Sequence, residues 1–174
     1  MKKSILIVVL ALVVSGFTVS KRVQVLIDKV IKNVFKIENY IKQPINISSE
    51  IIAELPLKIT DTNFNKISSE DSLLGYYYFG QAYGKADYFD FIVIFDKDLI
   101  VSKVKILVYR EDHGGEIGSR RWLKQFIGKT SEKQLKYQKD IAAISGATIS
   151  AKAMTREVNK LLKTIEILNN KELL

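Results

Sequence analysis

The turn at residues 145–150, Ser-Gly-Ala-Thr-Ile-Ser, holds the residues with the clearest chemical use. Gly146 and Ala147 carry almost no side-chain bulk, so an anion can approach the backbone closely. Ser150 is a good N-cap, and apolar residues then recur at helical spacing. The free N–H groups and the positive dipole end of that helix would face whatever Thr148 carries. The turn therefore predicts a phosphate site, although spacing alone favours an ordinary serine-capped helix.

A second stretch, residues 110–118, places charged residues and glycines directly after an apolar strand. That composition is typical of a loop whose backbone approaches a ligand. Ser119 then caps a short predicted helix over 120–127, which carries Trp122 on its apolar face. His113 is interpreted either as a solvated loop histidine or as a site residue. Trp122 is interpreted first as a core residue of the short helix and alternatively as a stacking surface for a ligand.

The stretch 140–151, Asp-Ile-Ala-Ala-Ile-Ser-Gly-Ala-Thr-Ile-Ser-Ala, resembles the flavinylation motif of the FMN-binding domain family. That domain is shared by the G subunit of Rnf electron-transfer complexes, the C subunit of the sodium-pumping NADH:quinone reductase and small exported flavoproteins. The resemblance covers residues 74–168. It implies that a flavin transferase joins the FMN phosphate to Thr148 through a phosphoester. It also implies that the surrounding residues bind the cofactor: Ser145, Gly146, Ala147 and Ser150.

One departure from the family motif bears on covalent attachment rather than on flavin binding. The family usually has an acidic residue three positions before the serine, and this chain has Ala142 there. Asp140 lies two residues earlier. If the flavin transferase needs an acidic residue, Asp140 is the candidate to replace the missing one.

The loop at 110–118 also resembles the family, in which the corresponding loop lines the flavin ring. Here His113, Glu116 and Gly118 match residue types of that pattern, but its proline is missing and the order differs. The resemblance implies that these three residues, with Trp122, bind the cofactor. The neighbouring pair Arg120-Arg121 is interpreted as solvated, or with one member facing the flavin.

Composition excludes several other kinds of site. The 174-residue chain has no cysteine and one histidine, which excludes disulfides and iron–sulfur clusters and argues against a multi-histidine metal site. We therefore predict no metal. The net charge of +8 suits a phosphate-bearing cofactor, an anionic membrane surface or an acidic redox partner. Nucleic acid is not predicted as a partner, because the sequence contains no Lys/Arg stripe interleaved with aromatic residues.

Residues 1–20 are predicted to be a signal peptide or a membrane anchor. Two lysines precede an apolar run that would span about 24 Å as a helix, short of the hydrocarbon core of about 30 Å. Basic residues are more numerous after the run than before it, which by the positive-inside count would keep the domain in the cytoplasm. A basic start and an apolar core are nevertheless the form of a signal sequence. We predict the extracytoplasmic side of the cytoplasmic membrane, with the chain anchored or exported.

The elements that must position these residues follow from periodicity. Residues 21–43 predict an amphipathic helix, packed on the domain or, alternatively, lying along the membrane as a stalk. Residues 44–174 are predicted to form the FMN-binding domain. A short helix at 48–55 and a loop are followed by strands at 75–80, 88–95 and 100–109. The predicted class is α+β, an antiparallel sheet with one wet face and flanking helices, preceded by the N-terminal apolar leader.

The favoured function is electron transfer by an extracytoplasmic, membrane-associated flavoprotein that carries FMN. Its predicted partners are a flavin transferase, a membrane electron-transfer partner and the membrane surface. A carrier is favoured over a substrate-specific enzyme, because the sequence shows no substrate-binding triad, metal site or general base. The alternative is an anchored basic module that binds a phosphate-bearing ligand or a partner protein without redox activity.

Overall fold

A computed structural model describes residues 19–70 and 72–174 of the chain. The predicted leader falls, except for its last two residues, outside the described residues. In the part of the chain that is described, no helix has the length and apolarity that crossing a membrane requires. The described residues form a five-stranded sheet with helices on both faces.

The strands follow one another across the sheet in chain order, each antiparallel to its neighbour. They are β1 (Ile41–Pro44), β2 (Phe64–Ser69), β3 (Ser72–Tyr83), β4 (Tyr88–Asp96) and β5 (Val101–Val108). The helices are α1 (Lys21–Phe35), α2 (Ser49–Glu54), α3 (Arg120–Leu123) and α4 (Thr148–Asn170). Short 3₁₀ turns lie at Gly115–Gly118 and Lys124–Phe126. The predicted α+β class, with an antiparallel sheet and flanking helices, is confirmed.

The predicted helix over 21–43 is too long. α1 ends at Phe35, because Lys36 adopts the left-handed conformation, with φ 55°, and its N–H bonds the carbonyl of Lys32. The chain then enters β1, which pairs with β2. The sequence pattern predicts neither of these two strands. α1 packs its apolar face on the sheet, as the first of the two interpretations expected.

The prediction of a loop before residue 70 is also wrong, because β2 occupies its end. Its sequence mixes polar and apolar residues, yet Phe64 and Ile67 are buried on opposite faces of the sheet. A register shift after Ile67 interrupts the alternation of apolar and polar residues from which a strand is predicted.

Both faces of the central strands are covered, so the prediction of one wet face is wrong. In β4, Phe91, Val93 and Phe95 join the core under α4, whereas Ile92 and Ile94 join the core under α1. The aromatic run of β3 divides in the same way between the two cores. A strand buried on both faces has a nearly continuous apolar sequence, which explains its composition.

A buried ion pair fixes the place where the chain leaves β5. Arg110 donates from Nη1 and Nη2 to the two oxygens of Asp90, at 3.0 and 2.6 Å, and Asp90 is 1% exposed. Gln81 Nε2 donates to the same carboxylate at 2.7 Å. The carboxylate tolerates burial because it is paired and hydrogen-bonded. The loop at 110–118 therefore starts from a rigid point.

Candidate functional site

A cleft of about 540 Å³ lies between α3 and the chain segment that leads into α4. This volume is within the range of about 300–1,000 Å³ that is typical of small-molecule sites. The structure thus brings together three residues predicted from two separate stretches of sequence, Glu116, Trp122 and Ser145. The full lining is Glu116, Ser119, Arg121, Trp122, Gln125, Ala142, Ala143, Ile144 and Ser145.

Side chains of α3 and the turn after it hold the far wall of this cleft in place. Trp122 Nε1 donates to the carbonyl of Ala142 at 2.8 Å, and Gln125 Oε1 accepts from the N–H of the same residue at 2.8 Å. The indole is 5% exposed and packs edge-on against Phe126, with ring centroids 5.3 Å apart. The interpretation of Trp122 as a core residue is confirmed, and its remaining surface faces the cleft.

The turn before α4 leaves the helix start open. Gly146 adopts φ 81°, a conformation that favours glycine, and Ala147 is the N-cap residue. No side chain among the described residues caps α4. The first backbone hydrogen bond of α4 runs from the N–H of Ala151 to the carbonyl of Ala147 at 2.9 Å. The N–H groups of the residues before Ala151 in the first turn therefore have no acceptor within the helix. Thr148, exposed, is the first helical residue.

Ser150 was predicted as the N-cap of this helix, and that prediction is wrong. The left-handed turn at Gly146 starts the helix three residues earlier, which places Ser150 inside the first turn with 2% of its surface exposed. Its Oγ lies 3.2 Å from the hydroxyl of Tyr109 and 3.4 Å from Glu111 Oε2. Ser150 therefore anchors α4 to the end of β5.

The same network joins the two informative stretches of sequence. The Tyr109 hydroxyl lies 2.9 Å from Glu111 Oε2 and 2.9 Å from the carbonyl of His113. Gly114, with φ 87°, lies so close that a Cβ there would meet the Tyr109 hydroxyl at 2.7 Å and the Cβ of Ala147 at 3.5 Å. Glycine at 114 therefore allows the loop to approach the start of α4.

Glu111 is the centre of this network. Its Oε1 accepts the N–H groups of Ala86 and Asp87 in the β3–β4 hairpin, the latter at 3.0 Å. Desolvation raises the pKa of the Glu111 carboxyl, but these backbone bonds and the Tyr109 hydroxyl outweigh it, and the pKa lies below its ordinary value. Partial burial and the bond to Glu111 raise the pKa of Tyr109. The ionised carboxylate thus ties the hairpin, the loop and α4 together.

Six of the nine predicted site residues do not line the cleft: Gly146, Ala147, Thr148 and Ser150 lie at or beside the start of α4, and His113 and Gly118 lie in the loop at 110–118. His113 is exposed, and its backbone carbonyl accepts a hydrogen bond from the Tyr109 hydroxyl. Gly118 lines a different groove, on the opposite side of α3. The loop reaches the cleft through Glu116 instead.

Asp140 does not point its carboxylate into the cleft. Oδ1 lies 2.6 Å from Lys133 Nζ, and Oδ2 accepts the N–H of Lys136 at 2.9 Å. These contacts, with the bond to Lys133 the largest cause, lower the pKa of Asp140. The exposed residue Ala142 occupies the cleft wall where the family motif carries an acid.

The cations near the site are divided between several surfaces. Arg121 lines the cleft, whereas Arg120 lines the groove on the other side of α3. Lys152, one turn into α4, lies 5.6 Å from the ring centre of Tyr137. Arg156 pairs with Glu157 at 3.1 Å. Of the two predicted arginines, Arg121 is therefore the one that the structure directs to the cleft.

Three residues of this arrangement were missed in the sequence: Tyr109, Glu111 and Gln125. The available signal for Gln125 was its position four residues after Arg121, which places both on one side of a helical turn. Tyr109 and Glu111 gave no signal, because their partners Ser150 and Ala86 are distant in sequence. Together the residues form a cleft with the edge of the Trp122 indole at its base, beside an open helix start that is suited to a ligand carrying a phosphate.

Comparison with known proteins agrees with this chemistry. Residues 84–163 match the model of the FMN-binding domain family. The match begins in the β3–β4 hairpin, ends within α4 and includes every residue that lines the cleft. FMN is the cofactor that this domain indicates. A search of curated proteins finds no match to the chain.

Proposed function

Because residues 84–163 belong to the FMN-binding domain family, we propose that the chain is an electron-transfer flavoprotein with FMN linked to Thr148. One observation carries the proposal: the open start of α4, with an exposed threonine as its first residue, adjoins the cleft walled by Trp122. Ile144 connects the two directly, since it lines the cleft and its carbonyl accepts from Thr148 Oγ1 at 3.5 Å.

The helix start is suited to the FMN phosphate. A phosphodiester keeps about one negative charge, and a helix N-terminus stabilises such a charge by about 0.3–1 kcal/mol at an exposed site. The N–H groups of Thr148 and Ile149 are available for it, because no side chain in the described ranges caps this end. Lys152, one turn farther on, adds a positive charge on the same helix.

The cleft is suited to the flavin ring. The 5% of Trp122 that is exposed gives an apolar contact at the base of the cleft, and Arg121 and Ser145 supply polar groups at its rim. Bound FMN supplies the redox chemistry, accepting and releasing electrons through its ring. The guanidinium of Arg121 would favour extra negative charge on the ring and so raise its potential. The side chain of Trp122 keeps water from one face of the site.

Attachment to Thr148 requires an activated flavin phosphate, which a flavin dinucleotide provides to the flavin transferase. Thr148 Oγ attacks the phosphorus that carries the flavin, and a new P–O bond forms there. The P–O bond to the nucleoside monophosphate breaks, and that monophosphate leaves. The hydroxyl proton passes to solvent, and nothing is oxidised or reduced. The exposure of Thr148 makes its hydroxyl accessible to such an enzyme.

A carrier fits the site better than a substrate-specific reductase. The titratable side chains that line the cleft are Glu116 and Arg121, and His113 lies outside it. The predicted leader and the basic surface support a place on the outer side of the cytoplasmic membrane, with a membrane protein as electron-transfer partner. A second function, as a binding module without flavin, has in its favour the Ala142 departure and the missing proline in the loop at 110–118.

The test is to produce the full chain together with a flavin transferase and to follow the flavin through denaturation. The wild-type chain should be yellow and should keep flavin fluorescence on a denaturing gel. Thr148→Val, which keeps the branched shape but lacks the hydroxyl, should lose all of that fluorescence, and Thr148→Ser should retain part of it. Ser145→Ala is the matched control, because it removes a neighbouring hydroxyl and should leave the label in place.

A further arm of this experiment locates the ring. Trp122→Leu keeps an apolar side chain and should brighten the flavin fluorescence of the folded protein, since the indole that would quench a flavin in the cleft is removed. His113→Gln should not, because His113 lies outside the cleft. A colourless wild-type chain would favour the binding module. Colour that is lost on denaturation would mean that FMN is bound without the ester.

A further inference from the structure

A second groove, of about 500 Å³, lies on the side of α3 away from the cleft. One wall is the later part of α1, with Val30 and Val34, and the other wall comes from α3 and the residues after it, with Leu123 and Ile127. Its floor is the middle of β5, residues 103–106. The groove is therefore an apolar channel laid along one strand.

The strand on its floor is an open edge of the sheet. β5 is the last strand in the sheet order. On its outer side, Val101 bonds the chain after α3: its carbonyl accepts from the N–H of Gly128 at 2.8 Å, and its N–H donates to the carbonyl of Lys129 at 3.0 Å. From Lys103 to Ile106, the described residues place no strand on that side. Such an edge presents N–H and C=O groups along about 13 Å, the length of four extended residues.

The rim of this groove is wholly cationic. Its charged lining residues are Lys103, Lys105, Arg120 and Lys124, with no carboxylate among them. In the described part of the chain none of the four belongs to an ion pair, in contrast to Lys160 and Lys163 on α4, which pair with Glu157 and Glu166. Lys103 and Lys105 lie opposite Ile94 and Ile92, and so on the face that α1 covers. Their charge is directed to the channel between α1 and α3.

We propose that this groove binds an extended acidic segment of a partner protein, which adds a strand beside β5. The open edge would supply main-chain bonds, and each wall, which has both apolar residues and two cations, would receive apolar and acidic side chains from one face of the added strand. Lysines on an edge strand also serve to prevent unwanted strand pairing. That role accounts for Lys103 and Lys105, but not for the apolar walls or for Arg120 and Lys124 on the opposite side.

The groove and the cleft share α3 as a common wall. Arg121 and Trp122 face the cleft, whereas Arg120 and Leu123 face the groove. A segment bound in the groove would thus lie about one helix diameter, about 10–12 Å, from the ligand in the cleft. The proposal concerns binding of a partner and does not depend on flavin being present.

The experiment uses the full chain without flavin and a short fluorescent peptide of repeating Glu-Glu-Val-Val, which places carboxylates and apolar side chains on both faces of an extended strand. Fluorescence anisotropy should show binding that weakens as salt is added. Lys103→Glu combined with Lys105→Glu should weaken binding by at least about tenfold. Lys58→Glu combined with Lys139→Glu is the matched control, since it changes the net charge equally at exposed residues outside the groove and should leave binding unchanged.

Two further probes separate strand addition from simple charge attraction. A peptide of the same sequence with alternate backbone nitrogens methylated should lose binding, and the unmodified peptide should protect the amides of 103–106 from hydrogen exchange. Arg120→Gln combined with Lys124→Gln, on the opposite wall, should also weaken binding of the peptide. This variant tests the proposal if the Lys103/Lys105 variant does not fold.

Three results would overturn the proposal. Equal loss of binding in the control variant would show that the peptide is attracted by the net charge of the protein and not by the groove. Equal binding of the methylated peptide would exclude strand addition. Binding to phosphatidylserine vesicles but not to the peptide, lost in the Lys103/Lys105 variant, would assign the groove to a membrane surface instead. These results are independent of whether Thr148 carries flavin.

Discussion

α1 and α4 lie on opposite faces of one sheet, yet they begin in different ways. At the start of α1, Ser20 Oγ accepts the N–H of Val23 at 3.4 Å. α2 and α3 begin in the same manner, with Ser48 and Ser119 as caps. α4 begins after Ala147, and no side chain of the described residues caps it.

The difference separates a helix start that is capped within the protein from one that is open to a ligand. A serine cap satisfies an N–H group inside the protein, and it stabilises the fold whether or not a ligand is present. An open start leaves the N–H groups of the first turn for an external acceptor. Among the four helices described, the open start is also the one that adjoins Thr148 and the cleft.

The largest effects are expected where the two helices are alike, in their buried faces. Ile27 on α1 and Leu161 on α4 are both fully buried. Ile27→Ala and Leu161→Ala should each lower the free energy of unfolding by about 2–5 kcal/mol, measured by urea denaturation. Val25→Ala is the control, because Val25 is 66% exposed and should change stability by less than about 0.5 kcal/mol. A small loss for Ile27→Ala alone would mean that α1 is dispensable for the fold.

Smaller effects, on different quantities, are expected at the two helix starts. Ser20→Ala should lower the free energy of unfolding by about 0.5–2 kcal/mol and leave flavin incorporation unchanged. Ala147→Ser should not raise stability, because residue 147 is 3% exposed and lies in the core, but its hydroxyl would compete for an N–H that the phosphate needs and so reduce flavin incorporation. Urea denaturation and flavin absorbance measure the two quantities. Unchanged incorporation in Ala147→Ser would argue against a phosphate at this helix start.

The smallest effects concern the carboxylates that anchor each helix. Burial raises the pKa of Asp28 on α1, but the bonds from Lys42 and Tyr40 outweigh it and leave the pKa below its ordinary value of 3.8. The pKa of Glu111, beside α4, lies below its ordinary value of 4.5. A lowered pKa contributes stability above the ordinary value, and this stability is lost as the pH falls through the folded-state value.

Stability should therefore decline first below pH 4.5 through Glu111 and then below pH 3.8 through Asp28. Glu111→Gln should flatten the first part of this decline, and Asp28→Asn should flatten the second. Urea midpoints measured at a series of acidic pH values test both. An unaltered acid profile in both variants would show that other carboxylates dominate.

Strands with a clear period could be predicted from the sequence, and those without it could not. β3, β4 and β5 were found because their runs are long and apolar. β1 and β2 were missed because Pro44 ends a short edge strand and the register shift after Ile67 breaks the alternation of β2. Their place in the sheet depends on pairing between segments more than twenty residues apart, such as Ile41 with Ser68.

The site was predictable where it depends on local sequence. The small-residue turn at 145–147 and the short helix carrying Trp122 are both predicted from the sequence, and the structure brings Ser145 and Trp122 to one cleft. The role predicted for Ser150 is wrong, because a serine before an apolar run has the same pattern whether it caps a helix or lies inside its first turn. His113, expected beside the flavin by analogy with the family, does not line the cleft, and its backbone carbonyl accepts from the Tyr109 hydroxyl.

The pairing of every strand with its sequence neighbour has a consequence for how the protein folds. From β2 to β5 such a sheet can grow hairpin by hairpin, since each of these connections is short, whereas β1 and β2 are separated by residues 45–63. α4 is different, because its residues must return from the end of the chain to pack on Tyr78 and Val93. We therefore expect α4 to pack on the sheet late in folding. Until then Thr148 would lie on a helix that is not yet packed, although the sheet has already formed. Pulse-labelling hydrogen exchange during refolding would show earlier protection in β3 and β4 than in α4, and simultaneous protection would contradict this order.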